Sequence, residues 1–339
     1  MRRGTLVVGA AAVGTGVVVA RRRAAARGVD SPVVEPTQAP PPLPVGRTST
    51  VLADDGTELS VTEHGAQEPT ATFVLAHGYV QSSALWAGQV RDLVDARPDL
   101  KVVTYDHRGH GASGRATRET ANLEQLGRDL RRVVDAVAPS GPLLLAGHSM
   151  GGMTIMSLAE QAPELFGDRV VGVGFVATSS GRLSEVTWGM PAPIAALVRR
   201  VLPVLNEKAL RDEQKGKPRR MSPAETRLIF EKGADPAHVQ QALDVQRACR
   251  AETVAYFLST FSDHDRLEAL SALSEVPSVV VVGDKDRLCP LEHSQALAGA
   301  LPAGELVVYP GVGHMVQLER RTEVSRQLLA LADRALVRV

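Results

Sequence analysis

"LLLAGHSMGG", residues 143–152, runs from four apolar residues into a turn built almost entirely of small ones. Ser149 stands in it with Gly147 and Gly151 as its second neighbours. A G-x-S-x-G sequence between a core strand and a helix is a nucleophile elbow, which holds a serine at the top of a sheet. The turn is tight and the serine backbone strained, so the residues on either side must be small. The helix that follows aims its positive end and free amides at the hydroxyl. The plainer reading is a strand-to-helix turn with no chemistry.

Working outward, the pattern repeats. "TSTVLAD" (48–54) and "TELSVTEH" (57–64) read as a hairpin around Asp54-Asp55-Gly56. "TFVLAHG" (72–78), "KVVTYD" (101–106), "PLLLAG" (142–147), "RVVGVGFVAT" (169–178), "PSVVVVGD" (277–284) and "ELVVYPG" (305–311) are apolar strand runs. Helical segments fall between them, at 84–96, from about 122 to 137 and from 150 onward. In the second of these, Leu123, Leu126, Leu130, Val133, Val134 and Val137 recur at helical spacing. Apolar strands alternating with helices specify an α/β chain with a mostly parallel, eight-stranded sheet covered by helices on both faces. Residues about 182–265 show no convincing strand and read as a helical cap inserted after the sixth strand, roofing the strand ends where such sheets carry sites.

A serine hydroxyl needs a base. His314 in "YPGVGHMVQLE" follows the last strand, and Gly311 and Gly313 let the chain bring its ring over the sheet edge. His148 adjoins the serine, but its side chain should diverge across the elbow and serve packing or hydrogen bonding. The imidazole needs an orienting carboxylate, and "VVVVGDKDRLCP" offers Asp284 and Asp286. Asp286 is preferred from its place in the loop, and Asp284 is expected to tie the loop to backbone amides. Two N–H groups must hold an oxyanion. They are expected from Met150, after the serine, and from Tyr79, after "LAHG".

"HGY", "DHRGHGAS", "GHSMGG", "GDKDRLCP" and "GVGHM", in this order, resemble the α/β-hydrolase superfamily, most of all its actinobacterial esterase, lipase and haloperoxidase-like branches. The likeness covers about residues 48–335. It implies the α/β-hydrolase fold with Ser149 as nucleophile, Asp286 as acid partner and His314 as base, no cofactor and no metal. It implies a mainly structural role for the "DHRGHGAS" loop, with Asp106 and Arg108 fixing it. The serine sets this chain apart from the epoxide hydrolases and haloalkane dehalogenases of the fold, which use aspartate.

The expected activity is hydrolysis of an ester with an apolar acyl or alcohol part through an acyl-serine, as in a carboxylesterase or lipase. Carbon–carbon, thioester or lactone hydrolysis and perhydrolysis use the same groups and stay open, as does a non-catalytic ligand-binding protein. The cap stretches "WGMPAPIAALV" (188–198) and "VAYFLSTF" (254–261) read as packing on the main body, with some side chains lining a pocket. Residues 199–220 carry eight Lys or Arg against three acids, read as a solvated helix face or as a contact for anionic lipid.

Composition frames these readings. The 339 residues have formal net charge zero, which argues against a nucleic-acid binder. Residues 1–30 nevertheless carry six arginines and one aspartate, so the remainder is net negative. Cys249 and Cys289 are the only cysteines, too few for a disulfide framework or a cysteine zinc site, and whether they pair stays open. Between Arg3 and Arg21 lie seventeen uncharged residues, 4–20, about 25 Å as a helix against a bilayer core of about 30 Å. An uncleaved membrane anchor fits this better than a signal peptide, because the arginine triplet 21–23 adjoins the "AAA" at 24–26. Arginines flank both ends, so the side of the membrane, or export across it, stays open. The six prolines of residues 31–46 mark an extended tether, placing the hydrolase domain at 47–339.

Overall fold

The computed structural model describes residues 44–216 and 223–337. The expected anchor at 4–20 and most of the proline-rich tether lie outside them. Among the described residues no helix is long and apolar enough to cross a membrane.

Eight strands, β1 (Arg47–Leu52), β2 (Glu58–Gly65), β3 (Ala71–Ala76), β4 (Leu100–Tyr105), β5 (Leu143–His148), β6 (Val170–Val176), β7 (Ser278–Gly283) and β8 (Gly304–Tyr309), form one sheet. Their order is β1-β2-β4-β3-β5-β6-β7-β8. The leading hairpin pairs antiparallel, β2 also meets β4 antiparallel, and every later pairing is parallel. Strands β3, β5, β6 and β7 are buried at every position, which is why they read as unbroken apolar runs.

Side chains alternate between two cores. Val74, Ala76, Leu143 and Leu145 pack with α2 (Leu123–Val137) and α3 (Met150–Gln161). Phe73, Leu75, Leu144 and Ala146 pack with α1 (Ala87–Ala96) and α10 (Arg321–Leu336) on the other face. All six of the spaced apolar positions of α2 are buried, and Asn122 caps its first turn by accepting from Gln125 N at 2.8 Å.

Between β6 and β7 the chain leaves the sheet through α4 (Ala192–Gln214), α5 (Pro223–Ile229), α6 (Pro236–Ala248) and α7 (Ala251–Phe257). An antiparallel bridge between Gly181 and Asp265 closes the base of this helical layer. After β7 come α8 (Leu291–Gly299), β8, α9 (Val316–Glu319) and α10. In one respect the layer departs from the sequence reading. Residues 254–261 pack inward through Val254 and Phe257, but Ile194 and Leu197 of the 188–198 stretch face outward at 51% and 62% exposure. Apolar content alone does not tell which face of a helix meets the body.

The loop after β4 fixes this end of the sheet. Asp106 accepts from Ser83 N and Ala112 N, each at 2.8 Å. The fully buried Arg108 donates twice to Asp129 at 2.6 Å and reaches Asp55 at 2.6 Å. Burial works against its charge, but the two carboxylates outweigh it and hold the guanidinium protonated.

Candidate active site

The loops at the C-terminal ends of the parallel strands converge on one edge, where a sheet of this kind presents its chemistry. Ser149 sits there between β5 and α3 at φ +52°, ψ −116°, a strained conformation for a residue with a side chain. Its N–H donates to Val176 O at 2.9 Å, and Thr178 Oγ1 donates to its carbonyl at 2.7 Å. The flanking glycines are steric necessities. A Cβ on Gly147 would lie 2.3 Å from the Gly151 carbonyl carbon, and one on Gly151 would lie 2.2 Å from Ala76 O.

On the loops after β7 and β8, His314 Nδ1 lies 2.8 Å from Asp286 Oδ2, with both side chains buried. The other carboxylate oxygen, Oδ1, accepts from Leu288 N at 2.8 Å and Cys289 N at 2.9 Å. Asp284 instead accepts from Gly311 N at 2.7 Å and pairs with Lys285, away from the histidine.

His148 joins these loops to the elbow. Its Nε2 is 3.0 Å from the His314 carbonyl, its Nδ1 is 3.1 Å from Gln81 Oε1, and its ring packs 4.8 Å from the His314 ring. Gln81 Oε1 also accepts from Gly78 N at 3.2 Å. His148 and Gln81 thus tie the loops after β3, β5 and β8 into one unit. Burial first, and then the neighbouring His314, hold the His148 ring well below the usual histidine range. Held neutral, the ring carries one N–H and donates to one of these two oxygens, so His148 serves to position the His314 loop. No hydrogen bond joins Ser149 Oγ to His314, a contact that commonly tightens only with substrate in place.

Met150 is the first residue of α3, where an N–H has no acceptor within the helix. Tyr79 lies in the turn after β3, and its hydroxyl donates to the Val254 carbonyl of α7. Beside it Val80 is held at φ +58°, its N–H donating to His110 Nε2 at 3.2 Å. A β-branched residue in that region is a strong outlier, and the buried His110 beneath it stabilises the turn. Burial first, with His77 adding, pushes His110 down to about 3, so its ring is neutral and its Nε2 accepts. Among the described residues no cluster of His, Cys, Asp or Glu has the arrangement of a metal site, and Cys249 and Cys289 form no disulfide.

A family model described as serine aminopeptidase, S33, matches residues 67–321. The chain belongs to this α/β-hydrolase family. It is 28% identical over 254 residues to a monoacylglycerol lipase of Mycolicibacterium smegmatis, covering 74% of this chain and 82% of the lipase. It is also 28% identical to the dihydrolipoyllysine-residue acetyltransferase component of an acetoin cleaving system of Pseudomonas putida, over 76% of this chain. The hydrolase spans only 62% of that relative's length. A bromoperoxidase of Bacillus anthracis superposes with a TM-score of 0.68 at 20% identity, covering 85% of this chain and all of that one, a likeness of fold alone.

One acidic residue of this hydrolase escaped the sequence reading. Glu319 Oε1 accepts from Gly313 N at 3.0 Å, directly before His314. Burial, with Glu231 and Asp286 nearby, raises its carboxyl from 4.5 to about 7 despite the Gly313 bond and Arg320. A raised acid stabilises the fold below its unfolded value and loses that contribution as pH rises through about 7. Glu319→Gln keeps the acceptor without the charge. The two proteins should therefore melt alike at about pH 4, and the variant should be more stable by roughly 2 kcal/mol above about pH 7.5. Thermal melts across this range check it, and a constant difference at all pH values contradicts it.

Proposed function

We propose that the chain hydrolyses carboxylic esters with an apolar acyl or alcohol part, through an acyl-enzyme on Ser149. The observation that carries this reading is the Asp286–His314 pair, held at 2.8 Å, with the His314 carbonyl tied to His148, the residue before Ser149. In the proposed cycle His314 Nδ1–H donates to Asp286, so its Nε2 lone pair takes the Ser149 proton. The alkoxide attacks the ester carbonyl, and the amides of Tyr79 and Met150 hold the resulting oxyanion. Collapse expels the alcohol with the proton from His314. Water, deprotonated by the same nitrogen, then releases the acid and restores the serine.

The apolar substrate part is supported by the side chains around the elbow. Met150, Met153 and Phe257 are buried together, with Tyr79, Leu183, Tyr256 and Phe261 packed against them. The monoacylglycerol lipase among the relatives supports an ester as the bond. No cofactor takes part in this cycle. We propose further that residues 4–20 attach the enzyme to a membrane, on the strength of their seventeen uncharged positions between arginines.

A panel of p-nitrophenyl esters of increasing acyl length, with matched thioesters and lactones, tests the ester reading. The expected result is kcat/KM rising by up to about fourfold per buried methylene, with esters ahead of the other two classes. Turnover of lactones or thioesters without esters, or labelling of no serine by a fluorophosphonate, overturns it.

A further inference from the structure

Helix α4 has two unlike faces. Its inner face holds the buried Ala195 and Leu210, and Glu213 Oε2 accepts from Ala251 N of α7 at 3.0 Å. Its outer face carries Ile194, Leu197, Val201, Val204 and Leu205, exposed by 51%, 62%, 39%, 63% and 54%. Among the described residues these are five of the nine exposed large apolar side chains. Their spacing of three and four places them on one stripe about 100° wide. A cluster of this kind on a single helix marks a contact surface, whereas scattered exposed leucines do not.

The stripe does not end at Leu205. Lys208, Arg211 and Lys215 continue it at the same spacing, all exposed. Arg200 flanks it. Asp212, the acid on this face, is tied to Lys208 at 2.9 Å, while Glu207 lies off the stripe and pairs with Arg118. One face of one helix is thus apolar for about three turns and basic for about the last two.

We propose that the outer face of α4 docks on an anionic lipid surface. The helix lies in the plane of the bilayer, with Ile194 to Leu205 in the acyl boundary and the three basic side chains against headgroup phosphates. Charge decides for this occupant over a second copy of the chain. Paired side by side with itself, the helix sets its basic half against another basic half or against an apolar stripe. The chain's own residues 1–30, with six arginines and one aspartate, complement the basic half no better. Lipid phosphates satisfy both halves together. The docked helix rests on α7, whose Val254 carbonyl holds the Tyr79 hydroxyl, so the cap over Ser149 faces the bilayer. That lipid-borne esters then enter from this side rests on the ester-hydrolase reading, but the docking does not.

The test uses the full chain carrying Val204→Cys labelled with an environment-sensitive dye; Cys249 and Cys289 are buried and the unsubstituted chain gives their background. Leu52→Cys, on the distant β1 edge, is the reference site. With phosphatidylcholine vesicles containing phosphatidylglycerol, the dye at 204 should shift to the blue and the dye at 52 should not. With phosphatidylcholine alone the affinity should fall roughly fivefold for each basic side chain engaged. In the chain labelled at 204, the added pair Leu197→Glu and Val201→Glu should raise the lipid concentration needed for the blue shift at least about tenfold without changing the melting curve. Three results overturn the proposal. In the first, the dye at 204 stays in water although the chain sediments with vesicles, which leaves residues 4–20 as the sole attachment. In the second, the glutamate pair leaves the dye shift at 204 unchanged. In the third, sedimentation equilibrium without lipid shows a dimer that the glutamate pair abolishes. None of these readouts depends on turnover, so the ester reading stands or falls separately.

Discussion

Ser149→Ala is expected to lower kcat on short p-nitrophenyl esters by about 10⁶-fold, the scale of removing a nucleophile that acts as a unit with its base. Stability should change by less than about 0.5 kcal/mol. Both halves follow from the elbow. The backbone contacts that hold it, from Ser149 N to Val176 O and from Thr178 to the Ser149 carbonyl, do not involve the hydroxyl. Alanine meets the same backbone restriction at φ +52° as serine. Glycine does not. Ser149→Gly should therefore be equally inactive but more stable by about 1 kcal/mol, because the strain at this position disappears. Retained turnover in the alanine variant removes Ser149 from the chemistry. A glycine variant less stable than wild type shows that the conformation is not strained.

Asp286→Asn should cost about 10⁴-fold in kcat with the fold intact. The reason lies in which oxygen does what. Oδ1 accepts from two amides, Leu288 N and Cys289 N, and so cannot be replaced by an NH₂ group. The asparagine carbonyl must stay there, which turns its NH₂ toward His314 Nδ1. The ring then accepts at Nδ1 and carries its proton on Nε2, the wrong tautomer to take a proton from Ser149. Asp284→Asn, by contrast, alters only the Gly311 contact and the Lys285 pair, and should leave kcat within about twofold. Equal losses at both positions would sink the distinction between them. Steady-state kinetics with thermal melts of both variants decide it.

The sheet was largely legible because its strands are local signals. Buried runs such as 143–148 and 278–283 need no knowledge of the rest of the chain, and the spacing within α2 marks its inner face. The elbow was legible for a steric reason, since Gly147 and Gly151 are dictated by contacts at 2.3 and 2.2 Å. His148 was readable only as a hydrogen-bonding residue. That it joins Gln81 to His314 depends on two loops far away in sequence. Glu319 carries no local signal, since its elevated carboxyl arises from burial beside the His314 loop.

The amino-acid order by itself settled the α/β architecture, the position of the strained serine and the residue types at the strand ends, because each rests on periodicity or on sterics within a few residues. Tertiary structure decided which carboxylate meets His314, how three loops are fastened together, and which side of α4 is left to solvent. Those outcomes turn on distances between segments far apart in the chain, such as His148 and His314 at a separation of 166 residues, and on burial that only a closed fold produces. Local pattern carries no information about either.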